Sequence, residues 1–224
     1  MIQMPALQRI GVALLVVVAA WLPPKTVAAH PHVFIDGSVD FLVNEQGALQ
    51  SLSVTWRYDA FETLYVLASI GIVPDQDGTL STEQRETLIH KESSWPEGFD
   101  GASHLSIDGT PVPISGPKSL DADVKDGRLI VRFRRDLDAP ELLWNRRTEV
   151  AFFERTYYYA FKITTPPRVV GGAPACNVDM VPSVPEEHDE AILNKLAALD
   201  REETPEDTNI GALFADRILL TCAS

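Results

Sequence analysis

Residues 33–58, VFIDGSVDFLVNEQGALQSLSVTWRY, decide the fold class of this 224-residue chain. Apolar side chains occupy most odd positions of residues 33–43 and the even positions of residues 52–58, and mostly polar side chains lie between them. Alternation with a period of two is typical of strands that bury one face. The polar turn at residues 44–47 connects the two runs, so this stretch predicts a β-hairpin with which the sheet begins.

Strand patterns return in the second half of the chain, separated by Asp-Gly turns at residues 108–109 and 126–127. These dipeptides favour tight turns. We predict further strands at residues 104–108, 110–115, 128–135, 149–153 and 157–164, around Cys176, and at 210–222. The expected fold is mainly β with α insertions: a sandwich-like antiparallel sheet domain with an inserted helix-loop-helix and a disulfide-tied C-terminal segment.

Helical periodicity replaces the alternation within residues 59–92, where we predict the helix-loop-helix insertion. Asp59 and Ser81 are favourable N-caps for its two helices. Residues 186–207 predict a further helical, acidic segment, because apolar side chains recur on one side of a helix near its start.

The first 29 residues predict an export signal. Arg9 precedes an apolar core at residues 10–22, and small residues precede a cleavage site between Ala29 and His30. The core is shorter than the roughly 20 residues of a membrane span. We therefore expect residues 30–224 to form a periplasmic protein, with an uncleaved N-terminal anchor as the alternative.

The chain is acidic, with 32 Asp and Glu residues against 19 Lys and Arg residues and a formal net charge of −13. Such a charge disfavours nucleic acid as a partner and is compatible with cations. Cys176 and Cys222 form an even pair, which in an oxidising compartment favours a disulfide. A thiolate metal site and two free thiols are the alternatives.

The loop within the helix-loop-helix has the outline of an EF-hand calcium loop. With Gly78 at loop position six, positions three, five, seven and nine are Asp75, Asp77, Thr79 and Ser81. Val73 and Gln84 then occupy positions one and twelve, where acids are expected. Calcium binding is therefore expected to be weak or absent, and the loop is interpreted as a turn between helices.

The tripeptide His30-Pro31-His32 is the main candidate for chemistry. Cleavage after Ala29 would leave His30 with a free α-amine as well as its ring Nδ1. His30 and His32 are two residues apart on the predicted strand, so both rings are expected on one face, where Asp36 also lies. Two imidazoles and a carboxylate suit Ni, Co, Zn or Cu. Pro31 has no amide hydrogen and so excludes the copper and nickel motif that binds through a deprotonated amide. The alternative is an unligated terminus followed by a surface strand residue.

Several motifs of this chain resemble the DUF1007 family. They are AHPHVFID at residues 29–36, WRYD at 56–59, DGTLS at 77–81, IDG at 107–109, DGRL at 126–129, GAPAC at 172–176 and IGALFA at 210–215. The resemblance covers essentially the whole mature chain. It implies an exported protein, of the kind labelled as a periplasmic component of an uncharacterised transport system and associated with NicO-type nickel/cobalt permeases.

The expected function is therefore that of a periplasmic accessory protein in divalent transition-metal transport, which works with an inner-membrane metal permease. One alternative is a copper-dependent oxidative enzyme with an N-terminal histidine brace, its third ligand coming from the tyrosines of residues 157–159. A second alternative is a structural or interaction domain of an envelope complex without metal.

Overall fold

A computed structural model describes residues 30–172, 175–184, 187–199, 203, 205 and 209–223. The predicted signal at residues 1–29, and with it the Ala29 side of the cleavage site, lies outside the described residues, as does most of residues 200–208.

The strands are β1 (Val33–Val43), β2 (Ala48–Tyr58), β3 (Ser103–Ile107), β4 (Thr110–Val112), β5 (Lys118–Lys125), β6 (Arg128–Leu142), β7 (Arg147–Phe152), β8 (Tyr159–Ile163), β9 (Arg168–Gly171), β10 (Cys176–Val181) and β11 (Arg217–Cys222). The helices are α1 (Ala60–Ser69), α2 (Thr82–Ser93) and α3 (Glu187–Ala197), and a 3₁₀ helix spans Ile210–Phe214.

The strands form two sheets, which confirms the predicted β-rich fold class. The first has the order β5-β6-β2-β1-β8, with β9 also paired to β1, and the second has the order β10-β11-β7-β3-β4. Both β8 and β9 run parallel to β1, so the first sheet is mixed, whereas the second is antiparallel. Phe152 of β7 and Phe161 of β8 stack with 5.9 Å between ring centroids, so apolar faces of the two sheets meet in one core.

The β1–β2 hairpin forms as its alternation predicts. The odd positions of β1 are buried and its even positions are more exposed. Phe41 pairs in register with Leu52 of β2, and both side chains are fully buried. Burial of each such side chain stabilises the fold by roughly 1.5–3 kcal/mol. The Asn44 side chain accepts hydrogen bonds from the backbone N–H groups of Gln46 and Ala48, which fixes the turn.

The two predicted helices of residues 59–92 are also present, each with the predicted N-cap. The Asp59 carboxylate accepts a hydrogen bond from the Glu62 N–H at 2.9 Å, and Ser81 forms a reciprocal capping box with Gln84. Thr63 of α1 accepts a hydrogen bond from the Leu129 N–H at 2.8 Å, which attaches the helix to β6. The helices thus cover part of the first sheet.

The structure differs from the sequence prediction at residues 210–222. The expected strand begins only at Arg217, because Ile210–Phe214 form a 3₁₀ helix. Gly211 approaches the Glu154 carbonyl so closely that a Cβ atom would lie 1.9 Å from its oxygen. A strand side chain has no room at this position.

The strand predicted to start at Tyr157 begins at Tyr159 instead. Tyr157 has a φ angle of +62°, which is incompatible with an extended strand. The Glu154 carboxylate accepts hydrogen bonds from Thr156 and from the Tyr158 N–H, so residues 154–158 form a compact turn.

The predicted disulfide is confirmed. Cys176 of β10 and Cys222 of β11 are directly paired neighbours, with 4.0 Å between their Cα atoms. The bond closes the antiparallel pair at the end of the second sheet, so these cysteines hold the C-terminal strand in place. Among the helices that the structure describes, none is long and apolar enough to span a membrane.

Candidate metal centre at His30 and His32

Backbone hydrogen bonds hold the start of the described chain beside the turn that precedes β8. The N–H groups of His32 and Val33 both donate to the Tyr158 carbonyl, at 2.9 and 3.2 Å. The parallel register then continues with Val33 opposite Tyr159. His32 therefore lies immediately before β1 rather than within it, and Tyr158 becomes the neighbour of both histidines.

The rings of His30, His32 and Tyr158 form one aromatic cluster. The two imidazole centroids lie 4.9 Å apart in an edge-to-face arrangement. The phenol ring of Tyr158 lies 4.8 Å from the His32 ring and 6.0 Å from the His30 ring. The spacing of the two histidines in the sequence thus predicts their proximity correctly, although the His30–Pro31 peptide is cis and the segment is not strand.

His30 is 4% exposed, and its Nδ1 atom is buried without a hydrogen-bond partner in the part of the chain that the structure describes. A buried polar atom without a partner is costly, so such atoms are frequently found where an ion or ligand binds. The nitrogen of His30 that lacks a partner is the one that can chelate together with an α-amine.

The electrostatic surroundings favour the neutral form of His30. Burial lowers the pKa of its imidazole, the neighbouring His32 lowers the pKa further, and the charge of Glu154 opposes the two effects. A neutral imidazole is the form that binds a metal. The local environment therefore keeps His30 in a ligating state to a lower pH than free histidine.

Asp36, the third predicted ligand, is directed to another partner. Its carboxylate accepts a hydrogen bond from the Arg128 guanidinium at 2.7 Å. Arg128 also donates to the carbonyl oxygens of Arg57 and Tyr58, so it joins the starts of β1 and β6 to the end of β2. Among the described residues, no three His, Cys, Asp or Glu side chains are grouped so that they could hold a metal ion. The structure therefore does not bring Asp36 together with the two histidines.

In the calcium-like loop, groups of the loop itself donate hydrogen bonds to the Asp75 carboxylate. Asp75 accepts hydrogen bonds from the N–H groups of Asp77 and Thr79 and from the Thr79 hydroxyl, at 3.0, 2.8 and 2.5 Å. These bonds lower the pKa of Asp75. Ser81 caps α2, and the Gln84 amide donates to the Val73 carbonyl at 2.9 Å. Each of these groups has a role in the turn between the helices.

Two features of this region are not apparent from the sequence alone. Tyr158 reaches the histidines through the parallel pairing of β1 with β8, a contact between distant segments. A separate buried acid, Glu92, lies four residues after the fully buried Leu88 on α2. This spacing places Glu92 on the buried face of the helix and is the signal that could have identified it.

Comparisons with known proteins agree with the extent of this fold. A family model described as "Protein of unknown function (DUF1007)" matches residues 15–222. An "Uncharacterized protein" of Haemophilus influenzae (strain ATCC 51907 / DSM 11121 / KW20 / Rd) is 25% identical over 206 residues, which cover 88% of this chain and 92% of the relative. The family match includes both histidines, the helix-loop-helix and both cysteines, and neither description names a reaction or a ligand.

Proposed function

The chain belongs to the DUF1007 family, and we propose that its mature form, which begins at His30, binds a divalent transition metal in the periplasm. The observation that carries this proposal is the contact between two imidazoles, 4.9 Å apart, of which that of His30 has a buried Nδ1 with no hydrogen-bond partner among the described residues. This arrangement needs one further donor to become a chelating site.

Signal cleavage after Ala29 would supply that donor. The new α-amine and the Nδ1 atom belong to one residue, so both can bind the same ion, and His32 adds a second imidazole. Three nitrogen donors suit Cu, Ni, Co and Zn, and the tetragonal preference of Cu(II) and Ni(II) favours these two. Asp36 keeps Arg128 as its ion-pair partner and is not one of the proposed ligands.

The biological role that we propose is that of an accessory protein that captures or delivers the metal for an inner-membrane metal permease. The resemblance to exported components associated with nickel/cobalt permeases supports this role. The net charge of −13 also supports it, because an acidic surface raises the local concentration of divalent cations.

The test is a metal titration of residues 30–224, with the authentic N-terminus confirmed by intact mass. Binding of Ni, Co, Zn and Cu is measured by competition with a chromogenic chelator. Both His30→Ala and the addition of one alanine before His30 should weaken binding at least about tenfold. His90→Ala, which changes an exposed histidine of α2, is the matched control and should bind like the parent protein. Equal affinity of the extended and parent proteins would refute the terminal chelate.

A second function, a copper-dependent oxidative enzyme, is favoured by one observation. The phenol ring of Tyr158 lies 4.8 Å from the His32 ring and 6.0 Å from the His30 ring, so a tyrosine is next to both proposed ligands. Copper-loaded protein with ascorbate should then reduce O₂ to hydrogen peroxide faster than free copper does, and Tyr158→Phe should alter this rate. Binding without turnover supports the accessory role, whereas failure to bind any metal supports an interaction domain.

A further inference from the structure

A second candidate site lies in a cavity of about 330 Å³ between α1, α2 and the apolar face of the first sheet. Its size is within the range of small-molecule pockets. Nearly half of its lining residues are aromatic, and they include Trp56, Tyr58, Trp95, Phe133, Tyr159 and Phe161. None of these residues belongs to the histidine cluster, although Tyr159 lies 5.3 Å from the Tyr158 ring between centroids, so the cavity is a neighbouring but separate space.

The cavity has three charged lining residues, Glu62 of α1 and Lys91 and Glu92 of α2. Glu92 is half-buried, and the Tyr58 hydroxyl donates a hydrogen bond to its carboxylate across 3.4 Å. In the described part of the chain, neither Lys91 nor another basic side chain forms an ion pair with Glu92. The Glu92 carboxylate and the aromatic rings therefore line the same space.

We propose that this cavity binds a small organic ammonium compound. The positive nitrogen would pair with Glu92 and contact the faces of the aromatic rings, which attract cations electrostatically. One ring of this wall already forms a cation–π contact within the protein, because the Arg135 guanidinium lies 5.3 Å from the centre of the Trp95 ring.

A metal ion does not suit this cavity. Its charged lining among the described residues is two acids, Glu62 and Glu92, and one base, Lys91, whereas calcium takes six to eight oxygen ligands. An organic ammonium is weakly hydrated and is stabilised by aromatic faces, so it fits the walls as well as the charge.

The test uses choline as the probe and, as its neutral counterpart, the alcohol in which carbon replaces the choline nitrogen. Binding to residues 30–224 is measured by calorimetry and by the fluorescence of the cavity tryptophans. We expect choline to bind at least about tenfold more tightly than the neutral alcohol. Equal binding of the two probes, or no choline binding at millimolar concentration, would overturn the proposal.

Variants of the cavity test whether Glu92 is the acid that binds the ammonium group. Glu92→Gln keeps the side-chain volume and should lower choline affinity at least about tenfold, whereas Glu86→Gln changes an exposed acid on the same helix and should have no effect. Trp95→Leu should also weaken choline binding, and thermal melts establish that each variant is folded. Unchanged choline affinity in folded Glu92→Gln protein would refute the assignment. Metal affinity should be equal in all these proteins, so failure here is distinguishable from failure of the metal proposal.

Discussion

The imidazole of His30 meets that of His32 edge to face, with 4.9 Å between the ring centroids. The contact is held by the backbone, because His32 donates its N–H to the carbonyl of Tyr158 at 2.9 Å. The Tyr158 ring in turn packs against both imidazoles. The arrangement of the two histidines therefore depends on the loop before β8, and their chemistry should respond to changes in that loop.

Replacement of Tyr158 by alanine should raise the pKa of His30 toward its ordinary value of 6.5, because burial is the main cause of its lowered pKa. NMR titration of labelled histidines measures this shift. Metal affinity at slightly acidic pH should fall, since protons then compete for the ligand. Tyr158→Phe keeps the ring and should retain the lowered pKa. An unchanged His30 pKa in the alanine variant would show that Tyr158 does not bury the imidazole.

Replacement of Asp36 by alanine should affect stability more than metal binding. The partly buried Asp36–Arg128 pair links β1 to β6, and its loss should lower the free energy of unfolding by about 1–2 kcal/mol. Metal affinity should change by less than about threefold. Denaturant unfolding and chelator competition measure the two effects. A tenfold loss of affinity with little loss of stability would instead make Asp36 a ligand.

The local features of the fold could be predicted because they depend on neighbouring residues. The alternation of residues 33–58 and the caps at Asp59 and Ser81 determine the hairpin and the two helices. Two edge strands, Lys118–Lys125 and Arg168–Gly171, were not predicted, because their side chains are mostly polar or exposed. Strand patterns are weak in such segments.

The candidate site could be predicted only in part. The spacing of His30 and His32 indicates that their rings are close, and they are. Tyr158 contacts the histidines only because β8 pairs with β1 in parallel. Asp36 instead binds Arg128, which lies at the start of β6. Both contacts join segments that are distant in sequence, so no local pattern contains them.

The helix-loop turn at Asp75 should be insensitive to calcium. Its carboxylate already accepts three hydrogen bonds from Asp77 and Thr79, so millimolar calcium should not raise the melting temperature. Asp75→Ala should lower the melting temperature, because the N–H groups of the loop lose their acceptor. Differential scanning calorimetry with calcium and with a chelator measures both effects. A rise in melting temperature that calcium causes in the parent protein but not in Asp75→Ala would instead establish an ion site.

Loss of the Cys176–Cys222 disulfide should destabilise the mature protein by roughly 3–4 kcal/mol, because the bond closes a long loop in the unfolded chain. A reductant should lower the melting temperature of the parent protein, whereas a Cys176→Ser, Cys222→Ser double variant should melt at the lower temperature with or without reductant. Metal affinity should be retained in the folded double variant. Loss of metal binding there would assign the cysteines a role beyond that of a structural link.

The acid of the cavity, Glu92, should make stability depend on pH. Its pKa is raised from 4.5 to about 7, mainly by desolvation and to a smaller extent by Glu62, while Lys91 and the hydrogen bond from Tyr58 oppose the rise. Between pH 4.5 and about pH 7 the Glu92 carboxyl is protonated in the folded protein but ionised in the unfolded chain. The stability that this group contributes is therefore greatest below pH 4.5 and is lost as the pH rises through about 7.

Glu92→Gln should remove this component, because the amide does not titrate. From pH 4.5 to pH 7.5 the variant should become more stable relative to the parent protein. The gain in its free energy of unfolding, relative to that of the parent, should be at most about 3 kcal/mol. Denaturant unfolding at a series of pH values measures it, and Glu86→Gln corrects for the removal of one surface charge. A parallel pH dependence in the Glu92→Gln and parent proteins would show that Glu92 titrates normally in the folded state.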